Sequence, residues 1–205
     1  MTSITLHTHP RSRGRIARWM LEEIGIDYEV RLVDFAAPDQ MTELRALNPM
    51  GKVPVLRHGD AIVTETAAIC AYLADAFPDA GLAPPPDRRA DYYRWLFFAA
   101  GPLEAAITNQ ALGVTPNDEQ QGFVGYGDVT RVLTTLESVL TGGAWLAGNA
   151  FSAADLYVGA QLSFGLQFGT IEQRAAFLDF VGFVTGRDAY RRAAKLDDEA
   201  LKSIS

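Results

Sequence analysis

The sequence predicts an α/β first half joined to an all-helical second half. Three features carry that reading. Short β-forming runs alternate with amphipathic runs through residue 77, a proline-rich break follows, and beyond it only helical periodicity remains. The implied division is residues 1–77 as one domain, 78–87 as linker and 88–205 as a helical domain.

Residues 3–7 alternate, with Ile4 and Leu6 on one face, as a first strand does. His9-Pro10-Arg11-Ser12 ends that strand. Ile16, Trp19, Met20 and Ile24 then recur at spacings of three and four, predicting a helix over 13–24 with Ser12 as its N-cap and Gly25 at its end. Residues 28–33 read as a second strand, and a short helix over 40–47 follows a loop that holds Pro38. The β-formers at 53–57 and 61–63 flank His58-Gly59-Asp60, whose Gly-Asp pair is turn chemistry, so they form a hairpin. A helix over 65–77 completes this half.

Four prolines and a glycine between Phe77 and Pro86 rule out regular structure there. A long helix over 87–112 follows, bent near Gly101-Pro102. After a loop, residues 123–140 place Val129, Val132, Leu133, Leu136 and Leu140 on one helical face. Helices over 152–168, 171–184 and 187–194 finish the chain. Ser152 and Asp155 have capping-box spacing, with Asp in place of Glu, and read as folding residues rather than catalytic ones.

Composition narrows the function. With 205 residues, 48% apolar and 21% charged, the chain has the make-up of a globular protein with a sizeable core. No apolar run reaches the roughly 18 residues of a membrane span. Met1-Thr2-Ser3-Ile4 leads straight into a strand without a basic or long apolar leader, which points to a cytoplasmic protein. A net charge of −7 argues against a nucleic-acid partner, although Arg11, Arg13, Arg15 and Arg18 concentrate positive charge locally. The single Cys70 excludes an internal disulfide and reads as a buried core thiol. His7, His9 and His58 are too scattered for a metal centre, and none is predicted.

The stretch from Asn48 through Gly51, Lys52, Val53 and Pro54 to Leu56 organises the chain. Proline cannot donate to a β-ladder, so Pro54 at the mouth of a strand marks a bend. A cis Val53–Pro54 bond would turn the valine N–H and C=O outward to clasp an extended peptide backbone; an ordinary trans proline at a strand start is the alternative. Glu65 and Thr66 stand at a helix start. The N–H groups there and the Thr66 hydroxyl suit a carboxylate, and Glu65 suits an ammonium. A γ-glutamyl group carries both charges on one carbon.

Asn-Pro-x-Gly-Lys-Val-Pro-Val-Leu, followed by Thr64-Glu65-Thr66-Ala67-Ala68-Ile69, resembles the glutathione-binding half of cytosolic glutathione S-transferases. Phe151-Ser152-x-Ala154-Asp155 is similar to the segment that starts the core helix of their second domain. The resemblance runs along nearly the whole chain. It implies a thioredoxin-like first domain with a four-stranded mixed sheet and a helical-bundle second domain. It implies a cis Pro54, with Val53 holding the cysteinyl part of glutathione. Lys52 would then lie beside the glycine carboxylate, with Glu65 and Thr66 on the γ-glutamyl end. Glutathione would be the co-substrate, a small hydrophobic electrophile the second substrate, and a homodimer the assembly, with no metal and no membrane partner.

The free glutathione thiol, with a pKa of about 8.5, must become a thiolate at neutral pH. A hydroxyl donor or a helix N-terminus lowers that pKa. The family keeps this group in the loop after the first strand, and Ser12 is the hydroxyl expected to activate the thiol. Ungapped counting from Leu21-Glu22-Glu23-Ile24-Gly25 sets the family's Ser or Cys position at Arg11, so Ser12 fits with a one-residue loop shift. Arg11 and Arg13 are alternatives for holding the thiolate or a carboxylate; Thr8 and His9 are lesser ones. The competing function is a binding or scaffold protein on the same fold, without turnover.

Overall fold

The computed structural model describes residues 3–143 and 145–204; the leader reading on Met1 and Thr2 lies outside them. Two compact units emerge. Residues up to Gly81 form one together with those from Arg187, and Leu82–Gly186 form the other.

In the first unit the chain runs β1 (Ile4–Thr8), α1 (Gly14–Ile24), β2 (Glu29–Leu32), α2 (Pro38–Leu47), β3 (Val55–His58), β4 (Ala61–Val63) and α3 (Thr66–Ala76). The strands form one mixed sheet in the order β2-β1-β3-β4. β1 pairs parallel with β2, β3 runs antiparallel to β1, and β4 runs antiparallel to β3. This is the four-stranded mixed sheet that the resemblance implied.

Alternation builds the core. Ile4, Leu6 and Thr8 of β1 are buried, and α1 packs against β1 and α3. Leu6 pairs with Leu56, so Val55 points to the opposite face. There it meets Val33 and Leu44, with Met41, Leu47 and Val53 packed alongside. The hairpin turns at Gly59, whose φ of 59° is left-handed, as the Gly-Asp reading requires.

In the second unit α4 (Ala90–Phe98) passes through a π-helical stretch, Ala99–Leu103, into α5 (Glu104–Ala111). Pro102 lies in that stretch, at the place where the sequence predicts a bend, and the i→i+5 pattern accommodates a proline that has no N–H to donate. α6 (Val129–Leu140) starts later than the predicted residue 123. Gly127 is left-handed, and Asp128 caps the helix by accepting from the Arg131 N–H at 2.8 Å. α7 (Ala153–Gln167) follows, then α8 (Ala175–Thr185). Residues 171–174 were expected in α8 but are not helical. Ile171 is buried instead, and its N–H bonds back to the Gly165 carbonyl at 3.1 Å.

α9 (Asp188–Ser203) completes the first unit, packing along α1. Four arginines link the two helices. Arg18 pairs with Asp197 at 2.9 Å with both side chains buried, and Arg15 pairs with Asp198 at 2.6 Å. Arg187 meets Glu23 at 2.7 Å, and Arg192 meets Glu22 at 3.0 Å. Thus Arg15 and Arg18, half of the basic cluster noted in the sequence, are turned to acids of α9. Among the described residues no helix is long and apolar enough to cross a membrane.

Candidate functional site

Strand directions gather the sequence motifs. β3 is antiparallel to β1 in the register His7↔Val55, so the residues preceding β3 lie at the end where β1 finishes. β4 is antiparallel to β3, so it also finishes at that end. The loop 9–13, the Val53–Pro54 pair and the Glu65–Thr66 pair therefore meet at one end of the sheet. The N-termini of α1 and α3 open onto that end, which gives it the positive ends of two helix dipoles.

Val53–Pro54 is a cis peptide bond. The β1–β3 ladder begins at Val55, leaving Val53 and Pro54 outside it. Pro54 is buried, Val53 is half-buried and Lys52 is exposed. Asn48 shapes this loop in a way the sequence reading missed. It is buried, its Nδ2 donates to the Lys52 carbonyl at 3.0 Å, and its Oδ1 accepts from the Met50 N–H at 3.1 Å. The Gly51 N–H, at a left-handed glycine, donates to the Asn48 carbonyl at 2.8 Å. The signal available in the sequence was an asparagine four residues ahead of the lysine, since Asx side chains bridge short turns.

The backbone conformation of Glu65 is the second feature missed. A φ of 62° and ψ of 116° make Glu65 the one non-glycine residue with positive φ among those described. A non-glycine residue there costs about 1–3 kcal/mol, and such residues gather at functional sites. Glu65 is exposed and stands at the N-cap of α3, yet among the described residues no side-chain bond caps that helix. Thr66 follows, buried at 7% exposure. Among the described residues no side-chain cap bond serves the first N–H groups of α3, while an acid stands at their margin.

Ser12 is half-buried, and its hydroxyl is already engaged. Oγ donates to the His9 carbonyl at 2.6 Å and accepts from the Gly14 N–H at 3.0 Å. The N-cap position of α1 is Arg13, without a side-chain cap bond, so Ser12 serves the helix one residue further out than predicted. Arg11 and Arg13 are exposed, and the Arg11 N–H donates to His9 Nδ1 at 3.1 Å. Thr8 is fully buried, and its Oγ1 has no hydrogen-bond partner among the described residues. It lies against Gly14, where a Cβ would overlap it.

The other predicted chemistry lies elsewhere or is silent. Cys70 is fully buried in α3, and burial pushes its thiol up to about 12. His7, lowered by burial and then by Arg31 and Arg57, faces no metal-ligating cluster, and none occurs among the described residues.

The family described as glutathione S-transferase, N-terminal domain, matches residues 2–75. Glutathione S-transferase 1 of Schizosaccharomyces pombe is 31% identical over 169 residues, covering 76% of this chain and 73% of its own length. An Arabidopsis thaliana glutathione S-transferase is 33% identical over 154 residues, 69% of this chain; the match spans 60% of that relative's length, less than two thirds of it. Among solved structures, a sphingomonad glutathione S-transferase complexed with glutathione superimposes with a TM-score of 0.75 at 29% identity, covering 95% of this chain and 98% of its own.

Proposed function

The chain belongs to the glutathione S-transferase family, and from that premise we propose that it is a glutathione transferase whose site is this end of the sheet. It holds glutathione there and activates the thiolate for attack on a small hydrophobic electrophile. The observation that carries the reading is the head of α3, where Glu65 keeps an unfavourable backbone beside uncapped N–H groups. That arrangement does little for the helix and is complementary to a γ-glutamyl group, with the ammonium on Glu65 and the carboxylate on the N–H groups and Thr66. Val53 offers main-chain groups to the cysteinyl unit. Lys52, with Arg11 and Arg13 as alternatives, supplies positive charge for a carboxylate.

Ser12 is the activating group in this proposal. Its O–H turns from the His9 carbonyl to the glutathione sulfur while Oγ still accepts from the Gly14 N–H. That retained bond polarises the hydroxyl and makes it a better donor to a thiolate. The thiol proton leaves to water, and the sulfur forms its bond to the electrophilic carbon as that carbon's bond to a leaving group breaks and the group departs with the bonding pair. No metal enters the scheme. The division by chain order into residues 1–77, 78–87 and 88–205, with α9 returning to the first compact unit, a homodimeric state, a cytoplasmic location and a role in detoxification complete the proposal.

The test is retention on immobilised glutathione, with thiol consumption across a panel of electrophiles, for wild type, Ser12→Ala and Glu65→Ala. Ser12→Ala should be retained while turnover falls about 100-fold, as for loss of one transition-state donor. Glu65→Ala should lose retention. Full turnover by Ser12→Ala would remove the serine from the mechanism, and undiminished retention of Glu65→Ala would remove the γ-glutamyl assignment. A second reading, a binding protein without turnover, is favoured by the Ser12 hydroxyl being directed at His9; retention with no turnover on any electrophile would establish it.

A further inference from the structure

Arg15 joins the loop that carries Ser12 to the C-terminal helix. Its Nη1 donates to the Pro10 carbonyl at 3.2 Å. Its Nη2 donates to Asp198 Oδ1 at 2.6 Å and to the Ala194 carbonyl at 3.4 Å. The Arg15 N–H donates to the Ser12 carbonyl at 3.2 Å. One residue therefore holds the turn on both sides of Arg11, through its side chain at Pro10 and its backbone at Ser12. A guanidinium suits this task because its donors are fixed in a plane and its charge is permanent.

The far end of the joint is itself fixed. Arg18 and Asp197, 5% and 0% exposed, lock α9 to α1 one residue before Asp198. The Arg187–Glu23 and Arg192–Glu22 pairs repeat the link toward the start of α9. Asp198 is 61% exposed, and an exposed ion pair contributes little to stability. Its conspicuous structural effect is to aim Arg15 at the loop.

We propose that Arg15, oriented by Asp198 and the Ala194 carbonyl of α9, is a positioning residue that sets the Ser12 hydroxyl for the glutathione sulfur, so that the C-terminal helix tunes thiol activation. This rests on the reading of Ser12 as the activating group.

The test uses the full chain as wild type, Arg15→Gln, Arg15→Lys, Asp198→Asn, the Arg15→Gln/Asp198→Asn pair, and Ser12→Ala. Three quantities are read: the pKa of bound glutathione from thiolate absorbance against pH, kcat and KM with one electrophile, and amide exchange at residues 11–14. Arg15→Gln should raise the bound thiol pKa, lower kcat about fivefold with KM for glutathione nearly unchanged, and speed exchange in the loop. Asp198→Asn should act in the same direction but less strongly, and the pair should be no worse than Arg15→Gln alone, as coupled residues behave. Arg15→Lys should restore only part of the loss. Asp198→Asn changes an exposed side chain, so it keeps the test valid if Arg15→Gln folds poorly. An unchanged thiol pKa in Asp198→Asn and Arg15→Gln, with a raised one in Ser12→Ala, overturns the positioning role and leaves Ser12 standing. An unchanged thiol pKa in Ser12→Ala overturns the underlying reading and this inference with it. Losses that merely follow the unfolded fraction also overturn it.

Discussion

The heads of α3 and α7 answer the same need in opposite ways. Each helix begins with N–H groups that its own turns cannot satisfy. At α7 they are served internally. Asp155 and Ser152 are buried at 0% and 2% exposure and form a capping box. The Asp155 carboxylate accepts from the Leu146 N–H at 2.7 Å, the Ser152 N–H at 2.9 Å and the Ser152 hydroxyl at 2.7 Å. At α3 no side-chain cap bond occurs among the described residues, and Glu65 is exposed in an unfavourable backbone conformation. One start is closed for folding and the other is left open. The difference teaches where to look for a ligand, because donors without a side-chain cap beside a strained acid do little for stability and are open to an anionic group.

The largest expected effect concerns how far the open region extends. Cys70 lies one turn inside α3, fully buried, with its thiol pushed up from 9.0 to about 12. At pH 8 a thiol reagent should modify it about 1000-fold more slowly in the native protein than in urea, following the thiolate fraction. Equal rates would extend the open region into the core and break the contrast. The same shift sets a sign for alkaline stability. The native state holds this proton more tightly than the unfolded chain, so the contribution is complete below about pH 9 and lost as pH rises toward 12.

Next in size is Asp155→Ala. It leaves the Leu146 and Ser152 N–H groups buried without acceptors and should cost about 3 kcal/mol in urea denaturation, with glutathione affinity of the folded protein unchanged. Glu65→Gly should do the reverse. Relief of the backbone at φ 62° should raise stability by about 1 kcal/mol, while glutathione binds at least tenfold more weakly by calorimetry. Loss of stability with retained affinity would make Glu65 an ordinary helix-start residue. The smallest effect is at Thr8. Replacing its unpartnered buried hydroxyl, as in Thr8→Val, should shift thermal stability by less than about 1 kcal/mol, with the sign toward stabilisation. A loss of several degrees in Tm would mean that the hydroxyl has a partner and takes part in the Ser12 loop.

The sheet and its helices were legible because each is written in local pattern: alternation at Ile4 and Leu6, a stripe at Ile16, Trp19 and Met20, Gly-Asp at the hairpin. Val53–Pro54 and Glu65–Thr66 were legible as motifs, and their meeting follows from strand direction once β1, β3 and β4 pair. What was hidden is non-local or conformational. The sequence reading ends the last helix at 194, whereas α9 runs to Ser203; the added turns carry Asp197 and Asp198, whose pairing with Arg18 and Arg15 of α1 is non-local and has no mark in the local pattern. The positive φ of Glu65 has no compositional mark, because it is imposed on a residue type that disfavours it. The late start of α6 came from Gly127 and Asp128, whose turn and cap chemistry outweighs the apolar run before Val129.

The most direct measurement is titration of glutathione into isotopically labelled protein, followed by backbone amide shifts. Amides of residues 11–14, Val53, and 66–67 should move together along one saturable curve, while those of Ser152 and Asp155 stay in place. Saturable shifts confined to other parts of the chain, or none at millimolar glutathione, would contradict the assignment of this sheet end as the glutathione site.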